Sequence, residues 1–108
     1  MSYNPNIRVA NMGNALTPQG NYASVTPTST ASTLAELGYT LPETAMHLGI
    51  QVEAGGVRVT ADGVTDPVLG TTGILWGNGT GVMISRAEAL LLKVVIEVSA
   101  PVLHLQAY

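Results

Sequence analysis

The chain has 108 residues, 46% of them hydrophobic and only 10% charged, with a net charge of −3. That length holds one domain of ordinary size. Cysteine is absent, which excludes a disulfide framework and a thiolate metal site. The cations Arg8, Arg58, Arg86 and Lys93 are scattered, so there is no basic patch for nucleic acid and no polybasic stretch for a membrane surface. The longest apolar run, residues 89–96, is interrupted by Lys93 and falls far short of the ~20 residues a membrane span needs. No charged segment followed by an apolar one opens the chain, and no secretory signal is expected.

Residues 1–33 are rich in Asn, Thr, Ser, Ala, Pro and Gly, with isolated large side chains. The stretch 24–33 follows neither a period of 2 nor one of 3.6, and such a segment buries too little apolar surface to order itself alone. It is predicted to be an extended N-terminal arm, either disordered or ordered by lying across a partner. Tyr3, Ile7, Val9 and Tyr22 have no core of their own within the arm and are its candidate partner-binding anchors.

From residue 34 the punctuation changes to turns between short β-type runs, which predicts a β domain over 34–108. Residues 34–38 read as one helical turn closed by Gly38 in a left-handed cap. Residues 46–53 alternate apolar with small or polar side chains, Ala54-Gly55-Gly56 reads as a turn, and 57–61 is the clearest strand, with Val57 and Val59 on one face and Arg58 and Thr60 on the other. Asp62-Gly63 and Asp66-Pro67 are turn signals. A strand over 71–76 is followed by a glycine-rich hairpin tip at 77–81 and a returning strand at 82–85. Ser85-Arg86-Ala87-Glu88 matches a capping box, which predicts one helical turn feeding a strand over 91–99. A last strand over 102–107 follows Ala100-Pro101. Short strands at regular spacing indicate a sandwich or a barrel.

Few residue types on this chain carry chemistry. His47 and His104 each sit among apolar neighbours without a second histidine nearby, and read as core or interface side chains. Asp62 and Asp66 flank a turn, where an Asx-turn explains them more simply than calcium. No strand–glycine–helix phosphate loop and no nucleophile elbow occurs: Gly77, Gly79 and Gly81 lead into a strand rather than a helix. No catalytic residue, metal ligand or cofactor is assigned, and an enzyme is not expected. Trp76, at a strand end beside a glycine loop, is either a core plug or an interface anchor.

The low charge is the most informative number. A small monomer stays soluble with charge over ~25–35% of its surface, whereas here a surface covered in use is expected, by copies of the chain or by a larger assembly. A β portion of this size has only ~3–5 kcal/mol of net stability unaided, which also points to a homo-oligomer.

Over residues 47–108 the chain resembles a group of small bacteriophage virion proteins. The resemblance rests on Val57-Arg58-Val59-Thr60, Asp62-Gly63-Val64-Thr65-Asp66-Pro67, Thr72-Gly73-Ile74-Leu75, the polar tip 77–81 and the closing strands 94–98 and 102–108. The chain departs from the group at Ala61, where an acidic residue is frequent, and at Val68, where a small polar one is usual. The resemblance implies a jelly-roll-like antiparallel β-sandwich. It also implies a capsid cement or decoration protein, binding the major capsid protein on the outer shell of the virion as a dimer or trimer. The alternative is a tail or fibre component that binds a host glycan or receptor, for which Trp76 and the tyrosines would form an exposed aromatic platform.

Overall fold

Two long strands carry the fold. The computed structural model describes residues 17–20 and 22–108. Strands β1 (Ala23–Val25), β2 (Ser32–Thr33), β3 (His47–Thr60), β4 (Ile74–Trp76), β5 (Gly81–Ser85) and β6 (Lys93–Ala107) form one six-stranded antiparallel sheet. Helix α1 (Arg86–Leu91) joins β5 to β6. β3 and β6 pair along nearly their whole length, from Leu48 opposite Ala107 to Thr60 opposite Lys93.

Both of these strands are bent. β5 ends at Ser85 opposite His47, while β6 begins at Lys93 opposite Thr60. The intervening α1 and Leu92 reach only about 16 Å. A straight strand from His47 to Thr60 would run roughly 40 Å. The ribbon therefore folds back on itself, and the register of β3 slips between Glu53 and Gly55 and again between Gly56 and Val57. Ala54 and Ser99, at the fold, adopt φ of 66° and 59°. Such bulges insert unpaired residues and sharpen the local bend. They also switch the side-chain parity. Leu48, Ile50 and Val52 face the core before the bend and Val57 and Val59 after it, so the same inner face stays apolar through the turn.

The predicted turn at Ala54-Gly55-Gly56 is thus a bulge within one strand, and Ala100-Pro101 likewise lies inside β6. Glycine and positive φ suit a chain reversal and a bulge equally. The predicted hairpin at 77–81 also differs. β4 and β5 both pair with β3 and run in the same direction, end to end. The segment between them bulges beside Val52, whose N–H donates to the Thr80 carbonyl at 2.8 Å and whose carbonyl accepts from the Gly79 N–H at 2.8 Å.

The arm differs from expectation where it is described. β1 and β2 lie end to end on the free edge of β6, and Ile96 N–H donates to the Thr28 carbonyl at 2.9 Å between them. Val25 and Pro27 are buried. An unpaired edge of β6 supplies the hydrogen bonds that the segment lacks within itself, so the sheet begins well before residue 34. Residues 1–16 lie outside the described residues.

The inner face is closed by 34–46 and α1. Leu34, Tyr39, Leu41, Ala45, Ala89 and Leu92 join the sheet residues in one core. The 34–38 turn has the predicted form, with Gly38 at φ 96° and Tyr39 N–H donating to the Leu34 carbonyl at 2.9 Å. α1 carries the predicted capping box: Glu88 N–H donates to Ser85 Oγ at 3.2 Å and Ser85 N–H to Glu88 Oε1 at 3.1 Å. Arg86 Nη1 then donates to the Pro42 and Ala45 carbonyls, at 2.6 and 2.9 Å, which ties the helix to the segment beside it.

Candidate functional site

The outward face of the sheet has two halves with different fates. Before the bend it is open, and Ser24 stands opposite His104, which stands opposite Gln51. Adjacent strands thus place their side chains within reach across the face. Ser24 Oγ lies 3.2 Å from His104 Nδ1, and His104 Nε2 lies 2.8 Å from Glu53 Oε1. The Tyr22 hydroxyl bonds the same Nδ1, and its ring stacks over the imidazole with centroids 5.7 Å apart. His104 is therefore a satisfied surface side chain rather than a core one.

Serine, histidine and glutamate in a hydrogen-bonded row have the residue types of a nucleophile relay. Here, however, two hydroxyls share one imidazole nitrogen, so the base is not dedicated to the serine. The row acts as a cross-strand ladder. Beside it runs a shallow trough of about 460 Å³ with Tyr22, Gln51, Met83, Gln106 and Tyr108 in its lining. Among the described residues no three His, Asp or Glu side chains converge to hold a metal ion.

After the bend the outward face is covered by the loop 61–73. Arg58 Nε donates to Glu97 Oε1 at 2.8 Å, the Gly70 N–H donates to the same oxygen at 2.9 Å, and Arg58 Nη1 donates to the Gly73 carbonyl at 3.1 Å. Val95, on this side, is buried. Asp62 opens the loop as an Asx-turn: its Oδ1 accepts from the Val64 and Thr65 N–H groups at 2.9 and 2.8 Å, and its Oδ2 from the Thr65 hydroxyl at 2.7 Å. Asp66 pairs with Lys93 at 2.8 Å. Both carboxylates of the turn thus have partners within the chain.

These contacts make the loop sensitive to acid. The Thr65 hydroxyl, then the two N–H groups, hold Asp62 down to about 2. Arg58 and the Gly70 N–H lower Glu97 in the same direction. A carboxylate depressed on folding stabilises above its unfolded pKa of ~4 and loses that contribution as pH falls through the folded value. Acidification from pH 5 to 2, on the order of the unfolded and folded carboxylate values, is expected to release the loop. The Thr65 amide shift should titrate with its midpoint near 2, the value of Asp62. A midpoint near ~4 would mean that these bonds are not formed in solution.

The apolar surface left over is concentrated around β4 and this loop. Ile74 is 68% exposed and Val64 82%, and Leu75, Val68, Leu69 and Val98 are also exposed. On the outside of the bend, Leu75 and Val98 line a concavity of about 430 Å³ together with Gly55 and Gly56. A small domain seldom leaves so many large aliphatic side chains in water.

Of the anchors predicted from sequence, Tyr22 is exposed and lies on the ladder. Tyr3, Ile7 and Val9 lie outside the described residues. Trp76 is half-buried, pairs with Val57 and packs against the core, so its indole serves as a plug with one exposed rim. Sequence reasoning missed the Arg58–Glu97 staple. The alternation that sends Val57 and Val59 inward sends Arg58 outward, so an acidic neighbour was to be sought, and Glu97 in the β-branched run 94–98 was the available one. Comparison with protein-family models, with characterised proteins and with solved structures finds no match to this chain.

Proposed function

We propose that this protein is a structural component of a bacteriophage virion, a cement or decoration protein bound outside the shell across neighbouring major capsid protein subunits. The observation that carries the reading is the exposed aliphatic surface of β4, the loop 61–73 and Val98 on a chain with four cations. Such a surface gains roughly 25 cal/mol for each Å² it buries, before ordering costs. Repeated over many copies, these contacts must open together for the shell to fail. The ribbon supports the fold expected for such a protein. Folded at its bulges, it sets β1, β6, β3 and β5 in one half and β2, β6, β3 and β4 in the other around a common core. That arrangement suits a jelly-roll-like sandwich.

The trough beside Tyr22 and Tyr108 favours a second reading, a tail or fibre component that holds a host glycan against its tyrosines and amides. One experiment separates the two. Ile74→Asp/Leu75→Asp, which changes only exposed side chains, is expected to fold normally and to occupy purified heads at least about tenfold less than the native chain. Deleting residues 1–16 is expected to weaken attachment similarly, because the anchors Tyr3, Ile7 and Val9 are lost. Equal occupancy by all three proteins would remove the apolar surface from the account. Binding to cell-surface polysaccharide, with no binding to heads, would establish the second reading instead.

A further inference from the structure

We propose that β5 is a self-pairing edge, along which two copies of the chain join antiparallel about a two-fold axis through Met83. The inference concerns the free protein and does not depend on the virion role. On the open side of β5 no described strand pairs with it, so backbone donors and acceptors are left there, apart from the Ser85 N–H that Glu88 already holds. Natural edge strands are usually protected by charge, proline or brevity. β5, Gly-Val-Met-Ile-Ser, has neither charge nor proline. With five residues it is also the longest strand on the outer edges of the sheet, against three in β1, two in β2 and three in β4.

What identifies a second copy as the partner is that the strand complements itself. Antiparallel pairing about Met83 sets Val82 opposite the partner's Ile84, Met83 opposite the partner's Met83, and Gly81 opposite the partner's Ser85. Val82 and Ile84 pack against the core of their own subunit, so their pairing extends each core across the axis. Met83, 46% exposed, points to the open face beside the trough. Pairing covers it and joins the two troughs end to end. No charge faces a like charge, and small residues face small ones. Isologous contacts require such a match, since one patch must suit itself.

A five-residue pairing buries less than the ~1,200 Å² of a standard stable interface, so the free dimer forms at tens of micromolar or above. The chain has no cysteine, which permits a direct test. Met83→Cys places two thiols about 4.5–5.5 Å apart between α-carbons, inside the range that a disulfide spans. Under mild oxidation this variant is expected to become a covalent dimer at least about tenfold faster than Val64→Cys, whose thiol would be more exposed but away from the edge. In sedimentation from ~5 to ~500 µM, the native chain is expected to associate and Met83→Lys to remain monomeric, because two lysines would meet at the axis. Met83 is exposed, so lysine is compatible with the fold, and circular dichroism checks it. Cross-linking of Met83→Cys no faster than of Val64→Cys overturns the proposal. So does a native chain that stays monomeric at the highest concentration, or association that survives in a folded Met83→Lys. Should Met83→Lys fail to fold, the cysteine pair and the native sedimentation decide.

Discussion

Gly55→Ala is expected to remove more than half of the protein's stability. A Cβ at this position would lie 2.2 Å from the Val98 carbonyl oxygen and 3.1 Å from the Pro101 nitrogen, both backbone atoms of the paired strand. Neither can swing aside as a flexible side chain does. Relief requires that β3 and β6 move apart at the bend, where the bulges that fold the ribbon are formed. The expected loss is at least about 3 kcal/mol, out of a total of about 5 kcal/mol for a small domain. The neighbouring glycine supplies the control. At Gly56 the nearest atom to a Cβ would be the Trp76 carbonyl oxygen at 3.4 Å, an ordinary contact. Gly56→Ala is therefore expected to cost less than about 1 kcal/mol in urea unfolding. Equal stabilities for the two variants would mean that the bend does not bring the strands as close as described.

Leu103→Ala comes next in expected effect. Leu103 is fully buried between Val25 of β1 and Val52 of β3, its partners on either side. Truncation removes apolar contacts and leaves a cavity that strands tied on both edges cannot close. The expected cost is about 3 kcal/mol, with the urea dependence unchanged. Leu90, exposed on α1, is the comparison: Leu90→Ala should stay within about 0.5 kcal/mol of the native chain. A loss below about 1 kcal/mol for Leu103→Ala would show that β1 does not pack over it in solution. The same packing implies that removal of residues 1–33 destabilises the domain, since it takes away two strands along with the leading segment.

Sequence reasoning reached the local features because their causes are local. The capping box at Ser85 and Glu88, the glycine cap at Gly38, the Asx-turn at Asp62 and the outward Arg58 follow from a few neighbouring residues each. It reached the β class for the same reason. Long-range pairing was not legible. Ala54-Gly55-Gly56 satisfies the requirements of a tight turn as well as those of a bulge, and the choice depends on Ser99, more than forty residues away. The stretch 24–33 has no period because only Val25 and Pro27 of its residues are buried, against a strand edge that no local pattern could foretell. The ladder of Ser24, His104 and Glu53 was hidden likewise: its members are spread along the chain and meet only through the register of three strands. Histidine beside apolar neighbours reads as buried, yet alternation along β6 sends Leu103 and Leu105 inward and His104 outward. For the same reason β1 and β2 read as part of the arm and the bulges inside β3 and β6 read as turns, whereas the apolar β-type runs of these two long strands are legible from their own residues.

The surface left by this fold is unusual in kind as well as in amount. Charge is spent on internal staples, Arg58 on Glu97, Lys93 on Asp66 and Arg86 on the Pro42 and Ala45 carbonyls, so three of the four cations are tied to the chain's own contacts. Aliphatic side chains around β4 are left exposed. A neighbour of matching shape gains affinity from this surface without removing charge from water, a step that costs several kcal/mol per unpaired ion.

The most direct measurement is the number of copies bound to each purified, expanded phage head as the free protein is raised in concentration. Binding is expected to saturate at a fixed ratio to the major capsid protein, set by one copy per repeated junction of the shell. Heads that take up no protein, or uptake that rises without a plateau, would contradict a cementing role.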